Sequence, residues 1–354
     1  MGWIVTSLFI VGETAGGGLV AMPTAVVSTG LLGGIILIIF GALICTYTSY
    51  QLSENWTILQ ARWPEYRNYC RKPYPSMGYR AIGPRFKTFV SICLDVTMFG
   101  TAVVFLLLAA KNIENILHVY GRIHIDFCYL VLIVVLILIN ASTDISLCSP
   151  HNAYPSLQPT KFFLSFGTVM FAFGGHGAFP TIQHDMEKPY LFKRSTFLAF
   201  TIITLMYITV SVVGYIAYGD SLLDSIIPSL QNVYIQQIVN ILITLHVILA
   251  LTIVFNPINQ EFEELLRVPQ EFGLRRFLTR TAMMTATIFA AETIPEFGVL
   301  LDLVGGSTIT LMALIFPSIF NLFLYASDQK HSGKLATPSE KWITISELEF
   351  IYIL

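Results

Sequence analysis

The chain has 354 residues, 55% of them hydrophobic and only 12% charged, with a formal net charge of -2. Soluble chains carry roughly twice that charged fraction, so this composition, with a mean hydropathy of +0.69, excludes an ordinary soluble domain and predicts an all-α polytopic membrane protein. The near-neutral charge, with basic residues held in short loops, argues against a nucleic-acid partner.

A bilayer crossing needs about 20 mostly apolar residues. Nine stretches qualify as candidates: 3–28, 31–52, 86–110, 127–140, 162–180, 196–218, 234–258, 277–291 and 297–325. The fourth and eighth are short, and the last is interrupted by Gly305-Gly306 and Pro317. The first lacks a basic leader and a small-residue cleavage site, so it reads as a retained helix. Cys45, Cys70, Cys93, Cys128 and Cys148 lie singly, with no CxxC or Cys/His spacing, and read as free thiols.

The first run contains "VGETAGGGLVAMPTAV" (11–26). Each glycine of Gly16-Gly17-Gly18 costs about 1 kcal/mol relative to alanine inside a helix, and Pro23 removes a backbone bond. In hydrocarbon, freed backbone groups persist only where they line a cavity or are buried in protein. One such cluster alone reads as a close helix crossing. The fifth run repeats it, however, in "FGTVMFAFGGHGAFPTIQHD" (166–185), with Gly174-Gly175, His176, Gly177 and Pro180. Two glycine- and proline-interrupted spans point to a transporter binding site. There, half-helix N-termini suit a carboxylate and half-helix C-termini a cation, so a zwitterion fits.

Lysine and arginine orient the chain. The segment 53–85 carries Arg62, Arg67, Arg71, Lys72, Arg80 and Arg85 and is expected inside. So are Lys188, Lys193 and Arg194, then Arg267, Arg275, Arg276 and Arg280, and the tail with Lys330, Lys334 and Lys341. Segments 219–233 and 292–296 have no basic residue and are expected outside. One collision results. The crossings between 53–85 and 181–194 must be even in number, yet three runs lie there. The stretch 140–161, "NASTDISLCSPHNAYPSLQPTK", is too rich in Pro, Asn and Ser to be a lipid-exposed helix.

"GGGLVAMP" (16–23) resembles the GxGxLxxP of first helices in the amino acid/auxin permease family, and 166–186 resembles that family's sixth helix and following loop. "VVGYIAYGD" (212–220), "LTIVFNPINQEFEELL" (251–266) and "RTAMMTATIFAAETIPEFGVLLDLVGGS" (280–307) extend the similarity over roughly 3–325. Invertebrate members near the proton-coupled amino acid transporters look most similar. The resemblance implies a LeuT-like inverted-repeat bundle of the APC superfamily, with about nine of eleven helices present and the fifth and eleventh lacking. It gives a transporter domain over 1–330, incomplete near 140–161, and a C-terminal tail over 331–354.

It also implies secondary active transport of neutral amino acids by alternating access, proton-coupled, with substrate at the breaks of helices one and six. Thr14, Gly16, Gly17 and Gly18 at the first break, and Phe171, Phe173, Gly174 and Gly175 at the second, are the substrate candidates. Glu13 and His176 are the proton or ion coupling candidates, since a carboxyl inside a membrane helix is functional by default and histidine titrates near neutrality. Many relatives carry Asn or His where this chain has Phe9, which leaves the coupling ion open between H+ and Na+. Lys111 is expected to snorkel; Asp95 lies deep enough in its span to need a partner, and His246 and Asp302 read as structural polar residues. The acceptor triplet Asn55-Trp56-Thr57 lies in the segment expected inside and should be unmodified.

No catalytic constellation, metal site or organic cofactor motif is present in the sequence, so an enzyme is not expected. The partners expected are an amino acid and the lipid bilayer of a plasma, lysosomal or vesicular membrane. The competing reading is a truncated, non-transporting family member or an amino-acid sensor, because losing a helix interrupts the inverted repeat.

Overall fold

The computed structural model describes residues 1–68, 70–117, 128–154, 159–269, 271 and 273–332. Most of the 331–354 tail therefore lies outside the described residues. Among the described residues the chain is helical, without strands. In chain order, the first broken pair is α1 (Trp3–Thr14) and α2 (Gly17–Thr29), bent by 60°. Then come α3 (Leu31–Arg62), α4 (Pro73–Ala81), α5 (Pro84–Leu117) and α6 (Cys128–Cys148). The second broken pair is α7 (Pro159–Ala172) and α8 (Phe179–His184). After it come α9 (Phe192–Tyr218), α10 (Val233–Leu265), α11 (Leu274–Thr293), α12 (Phe297–Val304) and α13 (Phe316–Ser332). Two π-helical segments, Gly305–Ile309 and Leu311–Ile315, join α12 to α13.

Six of the described helices are long and apolar enough to cross a membrane, or seven if the bent α1–α2 pair counts as one span. The nine runs are thus not nine uniform crossings. α7 has only 14 residues. α11 opens with Arg275, Arg276 and Arg280, two of which clamp Glu263 of α10 at 2.9 and 2.7 Å.

Two faces emerge from the contacts at the helix ends. At the basic face, the start of α1 meets the start of α9 through Ser195 Oγ and the Trp3 carbonyl, 2.8 Å apart. There Lys193 pairs with Glu54 at 2.7 Å, and Arg62 donates to Ser327 at 2.7 Å. At the opposite face Lys111 of α5 pairs with Asp224, 3.2 Å away. The segment expected to be a loop from residue 53 begins as helix, since α3 continues to Arg62. Asn55 is therefore helical and fully buried, donating to the Pro317 carbonyl at 3.0 Å and accepting from Asn321 at 3.1 Å.

The stretch 140–161 is corrected more substantially. Its first part, through Cys148, is helical and continues α6. Thr143 and Asp144 there are satisfied internally, which favours helix at that depth, although the buried Asn140 Nδ2 has no partner among the described residues. Thr143 donates to the Asn140 carbonyl at 2.7 Å, and Asp144 accepts from Tyr218 Oη at 2.6 Å and from the Gln231 N–H at 3.1 Å.

Those bonds also fix the direction of α6. It packs along α9 and α10 through Leu130, Ile133, Val134, Ile137 and Ala141, the i, i+3, i+4 stripe of a buried helix face. Its end meets Tyr218, the last residue of α9, so α6 finishes at the opposite face beside the start of α7. Asn152 Nδ2 donates to the Ala217 carbonyl at 2.7 Å on that same face. α5 also runs from the basic face to the opposite one. The two consecutive long helices α5 and α6 are therefore parallel.

Candidate functional site

The two breaks meet in the middle of the bundle. α1 ends where Ala15 and Gly16 interrupt the helical run; α7 ends at Ala172, and α8 begins at Phe179. The start of α2 lies directly against the end of α7, because a Cβ built on Gly18 would sit 2.6 Å from the Ala172 Cα. Tyr207 of α9, fully buried, ties the ends together: its hydroxyl donates to the Ala172 carbonyl at 2.8 Å and lies 3.4 Å from the Thr14 carbonyl. These are the carbonyls that a broken helix leaves without an intrahelical donor.

Tyr207 was not among the sequence candidates. The signal available was a tyrosine in the apolar interior of 196–218, since a buried tyrosine needs a partner for its hydroxyl. Tyr207→Phe should lower the unfolding free energy by about 1–3 kcal/mol, the cost of leaving a buried carbonyl unpaired. Chemical unfolding of the detergent-solubilised chain, with exposed Tyr234→Phe as the unaffected control, measures it.

Glu13 closes the last turn of α1 and is half-buried. Its carboxylate accepts from Thr14 Oγ at 3.5 Å and otherwise faces open space. Across the gap, a Cβ on Gly175 would fall 2.9 Å from Glu13 Oε2. Position 175 thus lets the second break approach the carboxylate.

Three cavities share Glu13. One of about 30 Å³ is bounded by Thr97, Thr101, Gly174, Gly175 and His176. A second of about 30 Å³ is bounded by Thr14, Gly17, Phe105, Phe171 and Gly174. The third, about 350 Å³, runs from Glu13 past Asp95 and Met98 to Lys72 and Glu261 at the basic face. The two small cavities have room for one or two waters each. Only the third has room for an amino acid. At its mouth Lys72 is paired with Glu261, and Arg71 with Glu264 at 3.1 Å. The cations there are neutralised, while Glu13 and Asp95 line the cavity above them.

Of the substrate candidates, Thr14, Gly17, Phe171, Gly174 and Gly175 line the small cavities with Glu13. Phe171 meets Phe105 edge-on, ring centroids 6.4 Å apart. Gly16 faces His246 and Phe105 of neighbouring helices instead. Gly18 and Phe173 are packed away: Phe173 lies fully buried against Phe200 and Tyr207 at 6.0 and 5.2 Å between ring centroids.

His176 is 1% exposed. Its Nε2 lies 3.0 Å from Thr48 Oγ, 2.9 Å from Ser49 Oγ and 3.1 Å from the Cys45 carbonyl, all on α3. Asp302 holds α12 to α7 by accepting from the Thr168 N–H and hydroxyl at 3.1 and 2.5 Å.

The sequence profile described as "Transmembrane amino acid transporter protein" matches residues 1–148 and 149–354. The chain belongs to that family. Among similar proteins are "Amino acid transporter AVT1B" of Arabidopsis thaliana, 27% identical over 346 residues, covering 85% of this chain and 61% of that protein. "Amino acid transporter AVT1J" from the same plant is 24% identical over 359 residues, covering 89% of this chain and 81% of its own length. "Proton-coupled amino acid transporter-like protein pathetic" of Drosophila melanogaster is 24% identical over 357 residues, covering 88% and 74%. The chain spans about three-fifths of the length of the first three relatives. This family is one of multi-pass membrane transporters rather than enzymes, in keeping with the apolar spans above.

Proposed function

We propose that this transporter-family chain moves neutral amino acids across a membrane by alternating access, driven by protons, from a site at the two helix breaks. The supporting observation is that both breaks converge on Glu13, and that the large cavity joins Glu13 to the basic face. That arrangement is what a bundle open to one side requires. The substrate ammonium would sit against the freed carbonyls at the end of α1, and its carboxylate against the free N–H groups at the start of α2. Phe105 and Phe171 suit an uncharged side chain. Glu13 is the leading proton site and His176 the second.

We read 1–330 as one transporter domain with LeuT-like inverted repeats. The direction of α6 favours assigning it as the fifth family helix, since a fifth helix must end on the face where the sixth begins. The crossing lost is then the fourth rather than the fifth. Two sequence observations support a deletion. The family profile matches in two pieces that abut at residues 148 and 149. The alignment to the first relative runs over 346 positions while using 85% of 354 residues. That is about 301 residues, leaving about 45 positions of the relative unmatched, room for one or two helices. A truncated, non-transporting protein is favoured by the parallel α5 and α6.

Reconstitution of the chain in liposomes decides between the two. Uptake of radiolabelled neutral amino acids, raised by an inward proton gradient, is expected. Absence of uptake from folded protein, with uptake restored by inserting one crossing before residue 128, would establish the truncated form instead.

A further inference from the structure

We propose that His176 Nδ1 and the Glu13 carboxylate are the two ends of one water-bridged proton site in the small cavity between the breaks. This rests on the transport reading and goes beyond it by assigning the proton's path atom by atom.

The first step is the tautomer of His176. Thr48 has one hydroxyl hydrogen, which goes to the Ile44 carbonyl at 3.1 Å or the Cys45 carbonyl at 3.3 Å. Ser49 likewise commits its hydrogen to the Cys45 carbonyl at 2.6 Å. With those hydrogens used, both hydroxyl oxygens present lone pairs to His176 Nε2, and the third neighbour, the Cys45 carbonyl, can only accept. Nε2 therefore carries the ring hydrogen. In the neutral imidazole, Nδ1 is then the bare acceptor.

The second step is what Nδ1 faces. It is buried and has no hydrogen-bond partner among the described residues, a state that costs stability unless a donor arrives. Its residue lines the cavity of about 30 Å³ with Glu13, enough for one or two waters. The hydroxyls on that wall cannot serve. Thr97 donates to the Cys93 carbonyl at 2.8 Å, and Thr101 to the Thr97 carbonyl at 2.9 Å. The only group on the cavity wall able to bring a proton to Nδ1 through a water is Glu13, whose Oε2 packs on Gly175, the residue adjacent to His176.

The charged and titratable surroundings are few. α1 offers Glu13, and α3 offers the buried thiol of Cys45. α5 offers Asp95, which lies in the large cavity beyond Met98. α9, α10 and the π-helical segments present Phe200, Val254, Ile309 and Met312, none of which titrates. A proton taken by the Glu13 carboxylate passes to the bridging water while the water's own proton moves to Nδ1. The carboxyl O–H breaks, the Nδ1–H bond forms, and the water is regenerated. The resulting imidazolium keeps its Nε2 donor bonds and gains an Nδ1 donor aimed at α1, so protonation ties the two breaks together. Release through the large cavity reverses the step.

His176→Gln separates this role from packing, because the glutamine amide reproduces the Nε2 donor toward α3, while its carbonyl oxygen can accept a hydrogen bond but cannot take up a proton as Nδ1 does. In liposomes this variant is expected to exchange labelled neutral amino acids within about two-fold of the parent. Accumulation driven by a proton gradient is expected to fall at least ten-fold. Unchanged gradient-driven accumulation overturns the proposal. Nitrogen-15 histidine NMR of the full chain in nanodiscs reads the site whether or not the chain transports. The expected result is a bare Nδ1 at neutral pH that gains a proton on acidification, with a titration moved by Glu13→Gln. An Nδ1 already protonated at neutral pH, or a titration indifferent to Glu13→Gln, overturns it. Failure of the parent to exchange any amino acid would instead remove the transport reading and leave the NMR result to decide the proton site.

Discussion

Glu13→Gln in the reconstituted chain is expected to preserve exchange of neutral amino acids and to lose at least ten-fold of the accumulation that an inward proton gradient drives. The carboxylate is the one titratable side chain common to the two small cavities and the large one, which share only apolar Val254 besides it. Among the described residues it has a single weak hydrogen-bond partner, Thr14 at 3.5 Å. An ionisable group so placed inside a membrane bundle is held there by function rather than by packing. Glutamine matches its shape and hydrogen-bonding reach but cannot carry a proton. A control is Glu264→Gln, which removes an ion pair at the cavity mouth whose carboxylate is 56% exposed, where such pairs contribute little. Gradient-driven accumulation that survives Glu13→Gln would remove the carboxylate from the coupling scheme.

The largest effect on stability is expected at the crossing of α7 with the α12–α13 helix. A Cβ on Gly305 would lie 1.9 Å from the Gly167 carbonyl oxygen, and one on Gly167 would lie 2.5 Å from the Asp302 carbonyl oxygen. Both obstacles are backbone, so no side chain can rotate away to relieve them. Overpacking of a well-filled interior costs about 1–3 kcal/mol, and Gly305→Ala should reach or exceed the top of that range. The same separation would stretch the bonds from Thr168 to Asp302 and disturb the π-helical turn that follows Val304. Gly298→Ala, where a Cβ meets nothing within 4 Å, is the matched control. Equal unfolding midpoints for the two variants in detergent would refute the close crossing.

Much of this architecture was legible in the sequence because of lipid's physical demands. The glycines and prolines at 16–23 and 174–180 marked both breaks, since such residues survive in hydrocarbon only where structure covers the freed backbone. The residues 140–148 misled for a related reason. Their polarity argued against helix, yet Asp144 is matched by Tyr218 and Gln231, partners that lie 74 and 87 positions away in the chain. Tyr207 was overlooked on the same account: its value lies in the Ala172 and Thr14 carbonyls, which only folding brings to its hydroxyl.

The sequence by itself determined that this is a helical membrane protein of the amino acid transporter family, with two interrupted helices and with Glu13 and His176 beside the breaks. Composition and broken-helix spacing are local properties, and they survive without knowledge of contacts. Tertiary structure alone decided which glycines border cavities and which are packed. It decided that His176 turns Nε2 to α3 and leaves Nδ1 buried without a partner among the described residues, and that α5 and α6 run parallel. Each of these depends on which surfaces meet, and the partners come from helices far apart in the chain.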